Sequence, residues 1–218
     1  MQQAAGVDME PFVKRTGHTG AAKMLLQATL QQANDKQSEK LLKRAIEQAQ
    51  DLRKKLPADF EIVLWQGDMA AIQEGVERSE AYYEQAIALN PYHSESYVHL
   101  LQLLAEHRPD KARHFESRLP EELLVNEWIR LSLAISEITT GDNAAATARL
   151  TALRHDEPDY LPADYELARA AMKAGQSTRA KELLSALFAK DGGELFIEAA
   201  VDEELFEEIV EEVLAVGA

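Results

Sequence analysis

Turn-forming and small residues recur along this sequence at intervals of 34 positions, and that spacing constrains the fold more than any other feature. Pro57 and Pro91 lie 34 residues apart, and so do Gly141 and Gly175. The same step relates three alanines and two pairs of leucines: Ala112, Ala146 and Ala180; Leu150 and Leu184; Leu153 and Leu187. Turn residues and small or apolar residues that share one period indicate a duplicated structural unit.

The segments between these breakers follow a helical period. Ser38 and Asp59 are placed to cap two helices, the first of which carries an apolar stripe that ends before Pro57. Further helices are predicted near 78–90, 94–107, 110–119, 121–139, 143–156, 163–174, 177–190 and 202–216. No alternating apolar run bounded by turns is present, so no sheet is expected. The sequence predicts an all-α chain of short antiparallel hairpins.

Two stretches, "AGQSTRAKELLSALF" (174–188) and "GDNAAATARLTALRHDEP" (141–158), place a glycine in a turn and an alanine and two leucines in the following helix. The stretch "YYEQAIALNPYH" (82–93) adds Tyr83, Ala86 and Pro91 at equivalent positions, and Gly67 precedes it at a small position of the first helix. This arrangement resembles the tetratricopeptide repeat family, whose unit is a 34-residue helix–turn–helix. The resemblance implies a right-handed α-solenoid of antiparallel helix hairpins with a C-terminal capping helix.

The resemblance also implies a domain organisation. A flexible lead-in occupies residues 1–20, and an acidic capping helix occupies residues 191–218. Between them the hairpins are predicted at about 21–57, 58–93, 94–120, 121–158 and 159–190. Three departures stand out. Ser79 replaces the usual alanine of a second helix, Pro120 closes the third unit early, and the first helix of the fourth unit aligns in two ways that differ by about two residues.

The predicted capping helix is amphipathic. One face carries Leu205, Phe206, Ile209, Val210, Val213 and Leu214, and the other carries Glu203, Glu204, Glu207, Glu208, Glu211 and Glu212. Asp202 and the two following glutamates suit the positive N-terminal end of a helix. The acidic face is interpreted either as a solvated surface or, alternatively, as part of a detachable helix that docks on another protein.

Composition argues against several classes of function. Asp and Glu outnumber Lys and Arg by 38 to 23, which gives a net charge of -15 and disfavours nucleic-acid and membrane partners. The sequence contains no cysteine, no apolar stretch typical of a signal peptide and no run that approaches a membrane span. We therefore expect a soluble cytoplasmic protein if the chain begins at its natural start; an excised domain is the alternative.

No motif in the sequence indicates catalysis. "GHTGAAKM" (17–24) lacks the second glycine, the hydroxyl residue and the preceding strand of a phosphate-binding loop. The six histidines form no i, i+4 pair, and the many carboxylates show no spacing that selects an acid–base couple. We expect no enzyme activity, no cofactor and no metal.

In tetratricopeptide arrays the first helices of successive hairpins line a concave groove. The resemblance implies a groove that contains the following side chains: Tyr97, His99, Trp128, Arg130, Tyr165, Arg169, Met172 and Lys173. Tyr97 and Trp128 are alternatively packing residues between helices. Arg169 and Lys173 either bind a partner's carboxylate or pair within the chain, for example with Glu166.

The function implied is a non-catalytic protein-interaction scaffold that binds a peptide or a partner helix. A chaperone for secreted or assembling subunits, resembling the small acidic tetratricopeptide chaperones of bacterial secretion systems, is one alternative, and an accessory domain of a larger enzyme is another. Members that hold a C-terminal carboxylate use Lys and Asn on adjacent first helices. Asn126 and Lys173 are the only candidates here and are not adjacent, so that subclass is not expected. Self-association through residues 22–56 remains an open expectation.

Overall fold

The computed structural model describes residues 11, 13 and 17–216 of the chain. Within these residues the regular structure consists of helices alone, with no β-strand, so the all-α prediction is confirmed. Most of the predicted lead-in, residues 1–20, lies outside the described residues. The chain divides into two compact units, one that ends at His99 and one that begins at Leu100.

The first unit contains two complete helix hairpins and the start of a third. Its helices are α1 (Thr19–Asp35), α2 (Glu39–Lys55), α3 (Phe60–Gln73), α4 (Val76–Leu89) and the first turns of α5 (Ser94–His107). Helix α1 packs against α2, α2 against α3, and α3 against α4. Their apolar faces bury Leu26, Leu30, Leu42, Ala45, Leu52, Ile62 and Met69 in one core. Helix formation here depends on that shared burial, because each hairpin alone leaves one apolar face exposed.

The predicted caps of the first unit are confirmed. The Ser38 side chain accepts a hydrogen bond from the backbone N–H of Leu41, and Asp59 accepts from those of Glu61 and Ile62. Each cap satisfies backbone donors that have no partner inside the helix. Asp59 also forms an ion pair with the ammonium group of Lys23, and this contact connects α1 to the start of α3.

Helices α3 and α4 approach closely at a glycine. A Cβ atom added to Gly67 would overlap the ring of Tyr83, which is buried against it. Ser79 is fully buried, and its hydroxyl donates a 2.9 Å hydrogen bond to the carbonyl oxygen of Gly67. The departure from alanine at position 79 is thus accommodated by a polar contact with the facing backbone.

The second unit contains the rest of α5 and seven further helices among the residues described. They are α6 (Pro109–Phe115), α7 (Glu127–Thr139), α8 (Asn143–Asp156), α9 (Leu161–Lys173), α10 (Ser177–Phe188), α11 (Ile197–Asp202) and α12 (Val210–Val216). Short 3₁₀ turns lie at Glu116–Arg118, Glu121–Leu123, Gly193–Phe196 and Glu204–Phe206. Helices α7 and α8 form one hairpin, α9 and α10 the next, and α9 also packs against α8.

The two turns of these hairpins are built alike, 34 residues apart. Gly141 and Gly175 have φ angles of 86° and 72°, in the left-handed region that favours glycine. The backbone N–H of Asp142 donates to the carbonyl of Glu137, and that of Gln176 donates to the carbonyl of Ala171. The predicted period is therefore visible in the hydrogen bonding of the backbone.

The fourth hairpin begins differently from the prediction of a helix over 121–139. A 3₁₀ turn forms at Glu121–Leu123, the chain then leaves helical geometry, and α7 starts only after Asn126. The Asn126 side chain accepts a hydrogen bond from the N–H of Ile129, so it acts as the N-cap of α7.

The C-terminal region also departs from the single helix predicted over 202–216. Asp202 ends α11 instead of starting a helix, so its predicted role at a helix N-terminus is wrong. A 3₁₀ turn and a second turn separate α11 from α12. The apolar stripe nevertheless covers the core as expected, with Phe206, Ile209, Val210 and Val213 buried, while Glu204, Glu207, Glu208, Glu211 and Glu212 are exposed.

Candidate interaction surface

Two of the predicted groove residues lie in the first unit, on α5. Tyr97 is buried, and its hydroxyl donates a 3.0 Å hydrogen bond to the carbonyl of Pro91, so its side chain is used for packing. His99 is partly exposed and places Nδ1 2.7 Å from the carboxylate of Asp68 on α3. Burial opposes the charged imidazole, but the hydrogen bond and charge of Asp68, together with the charge of Glu95, raise the pKa of His99.

Tyr165 and Arg169 lie on α9 and contact the C-terminal segment of the chain. The carboxylate of Glu203 accepts a 2.7 Å hydrogen bond from the Tyr165 hydroxyl and a 2.8 Å bond from Arg169 Nε. Arg169 also binds Glu166 on its own helix at 2.7 Å. The guanidinium group of Arg169 is thus shared by two carboxylates. Pairing with Glu166 within the chain is the alternative given from the sequence, and Glu203 is a second partner that was not predicted.

Burial determines the electrostatics of this cluster. Desolvation of Glu166, which outweighs the attraction of Arg169, raises the pKa of its carboxyl group. Desolvation would lower the pKa of Arg169, but the two neighbouring carboxylates outweigh it and raise the pKa of the guanidinium. The ring of Tyr165 packs on Phe196 and Phe206 with centroid distances of 5.5 and 5.7 Å. These contacts anchor the C-terminal segment to α9.

Met172 and Lys173 complete the predicted set on α9. Met172 is partly buried and packs against the core of the second unit. Lys173 is exposed at the end of the helix. That the eight predicted residues bind a partner in a groove stays a prediction. Their burial and their contacts within the chain do not identify a ligand.

Trp128 and Arg130 lie in the first turn of α7. The Trp128 ring meets the ring of Tyr160 edge to face, with centroids 5.5 Å apart, and 43% of Trp128 is exposed. Arg130 Nη1 lies 2.8 Å from the carboxylate of Asp156, and only 13% of its side chain is exposed. Trp128 is therefore a packing residue on one side and a surface residue on the other.

Two further apolar residues are exposed shortly before this tryptophan in the chain. Val125 is 76% exposed and Leu124 is 37% exposed. Both residues lie in the turn that precedes α7. We refer to Leu124, Val125 and Trp128 as the Trp128 patch. Large apolar side chains that cluster at the surface are typical of interaction sites, whereas single exposed ones are ordinary. The sequence does not distinguish Leu124 as exposed, because a continuous helix over 121–139 would place it in one apolar stripe with Trp128 and Leu131, as a packing residue.

A polar cavity of the second unit carries no recognisable catalytic arrangement. Its volume is about 420 Å³, and it is lined by Asp110, Arg113, His114, Glu116 and Glu137. Arg149 reaches both Glu116 and Glu137, at 3.0 and 2.7 Å. The Arg149 guanidinium thus joins two carboxylates, and this cluster is an ion network.

Two absences apply to the part of the chain that the structure covers. No group of three His, Asp or Glu side chains is arranged there to hold a metal ion. None of the helices there has the length and apolar character needed to cross a membrane.

Comparison with known proteins agrees with the hairpin geometry. The family model described as "Tetratricopeptide repeat" matches residues 137–196, which include the glycine turns at 141 and 175 and the helices that follow them. This part of the chain, residues 137–196, is thus similar to tetratricopeptide repeats in sequence. A comparison with curated proteins found no significant match.

Several solved tetratricopeptide repeat structures share this fold. A tetratricopeptide repeat protein from Parabacteroides merdae aligns with a TM-score of 0.68 and 16% identity over 95% of this chain and 88% of its own. PilW, described as a widely conserved type IV pilus biogenesis factor, aligns with a TM-score of 0.62 and 18% identity over 84% and 90%. YrrB, described as a protein with an unusual peptide-binding site, aligns with a TM-score of 0.61 and 14% identity over 93% and 97%.

Proposed function

We propose that this tetratricopeptide repeat chain is a non-catalytic protein-interaction scaffold that binds a peptide or helix of another protein. The fold supports the proposal, since tetratricopeptide repeats present extended surfaces built from successive hairpins. YrrB, which shares the fold, is described as having a peptide-binding site.

The observation that carries the proposal is the exposure of the Trp128 patch on the first helix of a repeat. Trp128, Val125 and Leu124 expose apolar surface to water. Burying that surface against a partner is favourable by roughly 25 cal/mol for each Å². Tryptophan is also the residue type most enriched among side chains that dominate binding energy. We therefore place the partner-binding surface at this patch, which retains one residue of the predicted groove and adds Leu124 and Val125.

The proposal is tested by affinity capture from an extract of the source cells. The double variant Val125→Ser, Trp128→Ser removes the apolar patch, and circular dichroism checks that the variant remains folded although Trp128 also packs on Tyr160. The control variant Met24→Ser alters another exposed apolar residue, which is 68% exposed and lies in the first unit. We expect a partner to bind the wild type and the control and to be lost from the double variant. Equal recovery by all three proteins contradicts the assignment.

Lys173→Ala is the suitable probe of the predicted groove on α9. Arg169 is unsuitable, because its removal leaves the buried Glu166 without its cation. The expectations of no nucleic-acid partner, no membrane partner and self-association through residues 22–56 stay predictions.

A further inference from the structure

Acidic residues lie close in sequence to the Trp128 patch and to Tyr160, which contacts Trp128. Residues 120–130 contain Glu121, Glu122 and Glu127, and residues 156–160 contain Asp156, Glu157 and Asp159. All except the half-buried Glu127 are exposed. The patch thus combines exposed apolar residues with exposed acidic residues nearby in the chain.

Two contacts bring these segments together within the second unit. The edge-to-face contact of Trp128 with Tyr160 joins the start of α7 to the residue that precedes α9. The ion pair of Arg130 with Asp156 joins α7 to the end of α8. In addition, burial and then the negative charge of Glu127 raise the pKa of the Tyr160 hydroxyl. These two contacts hold the acidic segment before α7 next to the acidic segment before α9.

Acidic residues outnumber basic ones within these two segments. The two segments hold six acidic residues and a single cation, Arg130. Arg130 is mostly buried and already bound to Asp156, so it cancels one carboxylate and leaves the others facing solvent. Charges of one sign around an apolar centre attract a ligand of the opposite sign and repel one of the same sign.

We propose that the Trp128 patch binds a positively charged amphipathic segment of a partner protein. Apolar side chains of the segment pack on Leu124, Val125 and Trp128, and its Lys and Arg side chains lie against the surrounding carboxylates. This inference rests on the proposed function and adds the chemistry of the partner. A second copy of this chain is a poor occupant, because each copy has a net charge of -15.

The two parts of the surface have different roles. Apolar contact with the tryptophan supplies most of the affinity, as it does at other interfaces that contain an exposed aromatic residue. The carboxylates supply selection, because an acidic segment that approaches the patch meets like charges without compensation. Screening by salt weakens contacts between exposed charges, so binding decreases with ionic strength.

The test uses two synthetic helical peptides of about four turns. Both have the same leucine face, and the polar face consists of lysine in one peptide and glutamate in the other. Each is titrated against the wild-type chain by calorimetry at low and at physiological ionic strength. We expect the lysine peptide to bind at least about tenfold more tightly than the glutamate peptide and to lose affinity as salt is added.

Three variants complete the experiment. Val125→Ser, Trp128→Ser should reduce the affinity for the lysine peptide about tenfold or more. Glu121→Gln, Glu122→Gln, Asp159→Asn should reduce it and flatten the salt dependence. Met24→Ser should leave it unchanged, and circular dichroism verifies that all variants remain helical.

The outcomes separate this inference from the proposed function. Equal binding of the two peptides overturns the inference. The inference is also overturned if the lysine peptide binds the Val125→Ser, Trp128→Ser variant as tightly as the wild type, because such binding would be a general attraction to an acidic protein. Either result leaves the proposed function standing if the captured natural partner still requires Val125 and Trp128. Loss of that requirement instead contradicts the proposed function itself.

Discussion

The Nδ1 atom of His99 lies 2.7 Å from the carboxylate oxygen of Asp68, and this contact joins the first helices of two consecutive hairpins. The Tyr83 hydroxyl donates to the same carboxylate at 2.9 Å, and the Tyr83 ring meets the imidazole edge to face. Glu95 approaches from the same helix as His99. One carboxylate therefore organises side chains from α3, α4 and α5.

This arrangement predicts a pH-dependent stability contribution. The folded-state pKa of His99 is raised above its usual value, so the pair stabilises the folded protein fully below about pH 6.5. The contribution is lost as the pH rises through the folded-state pKa. We expect His99→Gln to be less stable than the wild type near pH 6 and the difference to shrink toward pH 9, measured by urea unfolding. A difference that does not change with pH contradicts the charged pairing. Asp68→Asn should abolish the pH dependence in the same way.

The close approach of α3 and α4 predicts the effect of enlarging Gly67. A methyl group at this position overlaps the ring of Tyr83, so the helices must separate or the ring must move. We expect Gly67→Ala to lower the free energy of unfolding by about 1–3 kcal/mol, although alanine is the better helix former. Gly67→Ala combined with Tyr83→Leu should recover part of the loss. A neutral single variant in thermal unfolding contradicts the close packing.

Two tyrosine hydroxyls provide a matched comparison. The Tyr83 hydroxyl is bonded to Asp68, whereas the Tyr160 hydroxyl is buried beside Glu127 without a hydrogen-bond partner among the described residues. Removing a bonded hydroxyl costs about 1–2 kcal/mol, while removing a buried unpaired one costs nothing or stabilises. We therefore expect Tyr83→Phe to be destabilised and Tyr160→Phe to be neutral or more stable in urea unfolding. The reverse order contradicts the assignment of these contacts.

Arg169 is predicted to be a stability residue. Its replacement leaves the buried Glu166 and the carboxylate of Glu203 without their shared cation. Removal of one partner from such a buried group costs about 3–5 kcal/mol. We expect Arg169→Met to unfold at clearly lower denaturant concentration than the wild type. Lys173→Met, four residues later at an exposed position, is the matched control and should unfold like the wild type. Equal midpoints for the two variants contradict the role of the cluster.

Local and repetitive signals explain what could be predicted from the sequence. Ser38 and Asp59 cap helices because a side-chain oxygen next to the first turn satisfies backbone donors whatever surrounds it. Gly141 and Gly175 occupy the same position in two similar turns, because that position has a positive φ angle, which glycine adopts most readily. The period of 34 made these signals mutually consistent, and so the hairpins of the second unit followed from the sequence.

Long-range contacts and local breaks explain what could not be predicted. Glu203 lies on Tyr165 and Arg169 only because two turns interrupt the C-terminal helix, and nothing in the glutamate-rich stretch distinguishes this residue from its neighbours. The break before Asn126 had a local signal, an N-cap residue followed by an acidic first turn. The helical period of the surrounding residues obscured that signal, and with it the exposure of Leu124 and Val125.

The most direct test of the central claim is site-specific photo-cross-linking in the source cells. A photoreactive amino acid replaces Val125 in the Trp128 patch, and in a parallel strain it replaces Ile72, an apolar residue of the first unit that is 56% exposed. If the patch is the interaction surface, position 125 yields a discrete cross-linked partner and position 72 does not. A product from position 72 together with none from position 125 would show that the chain uses a different surface.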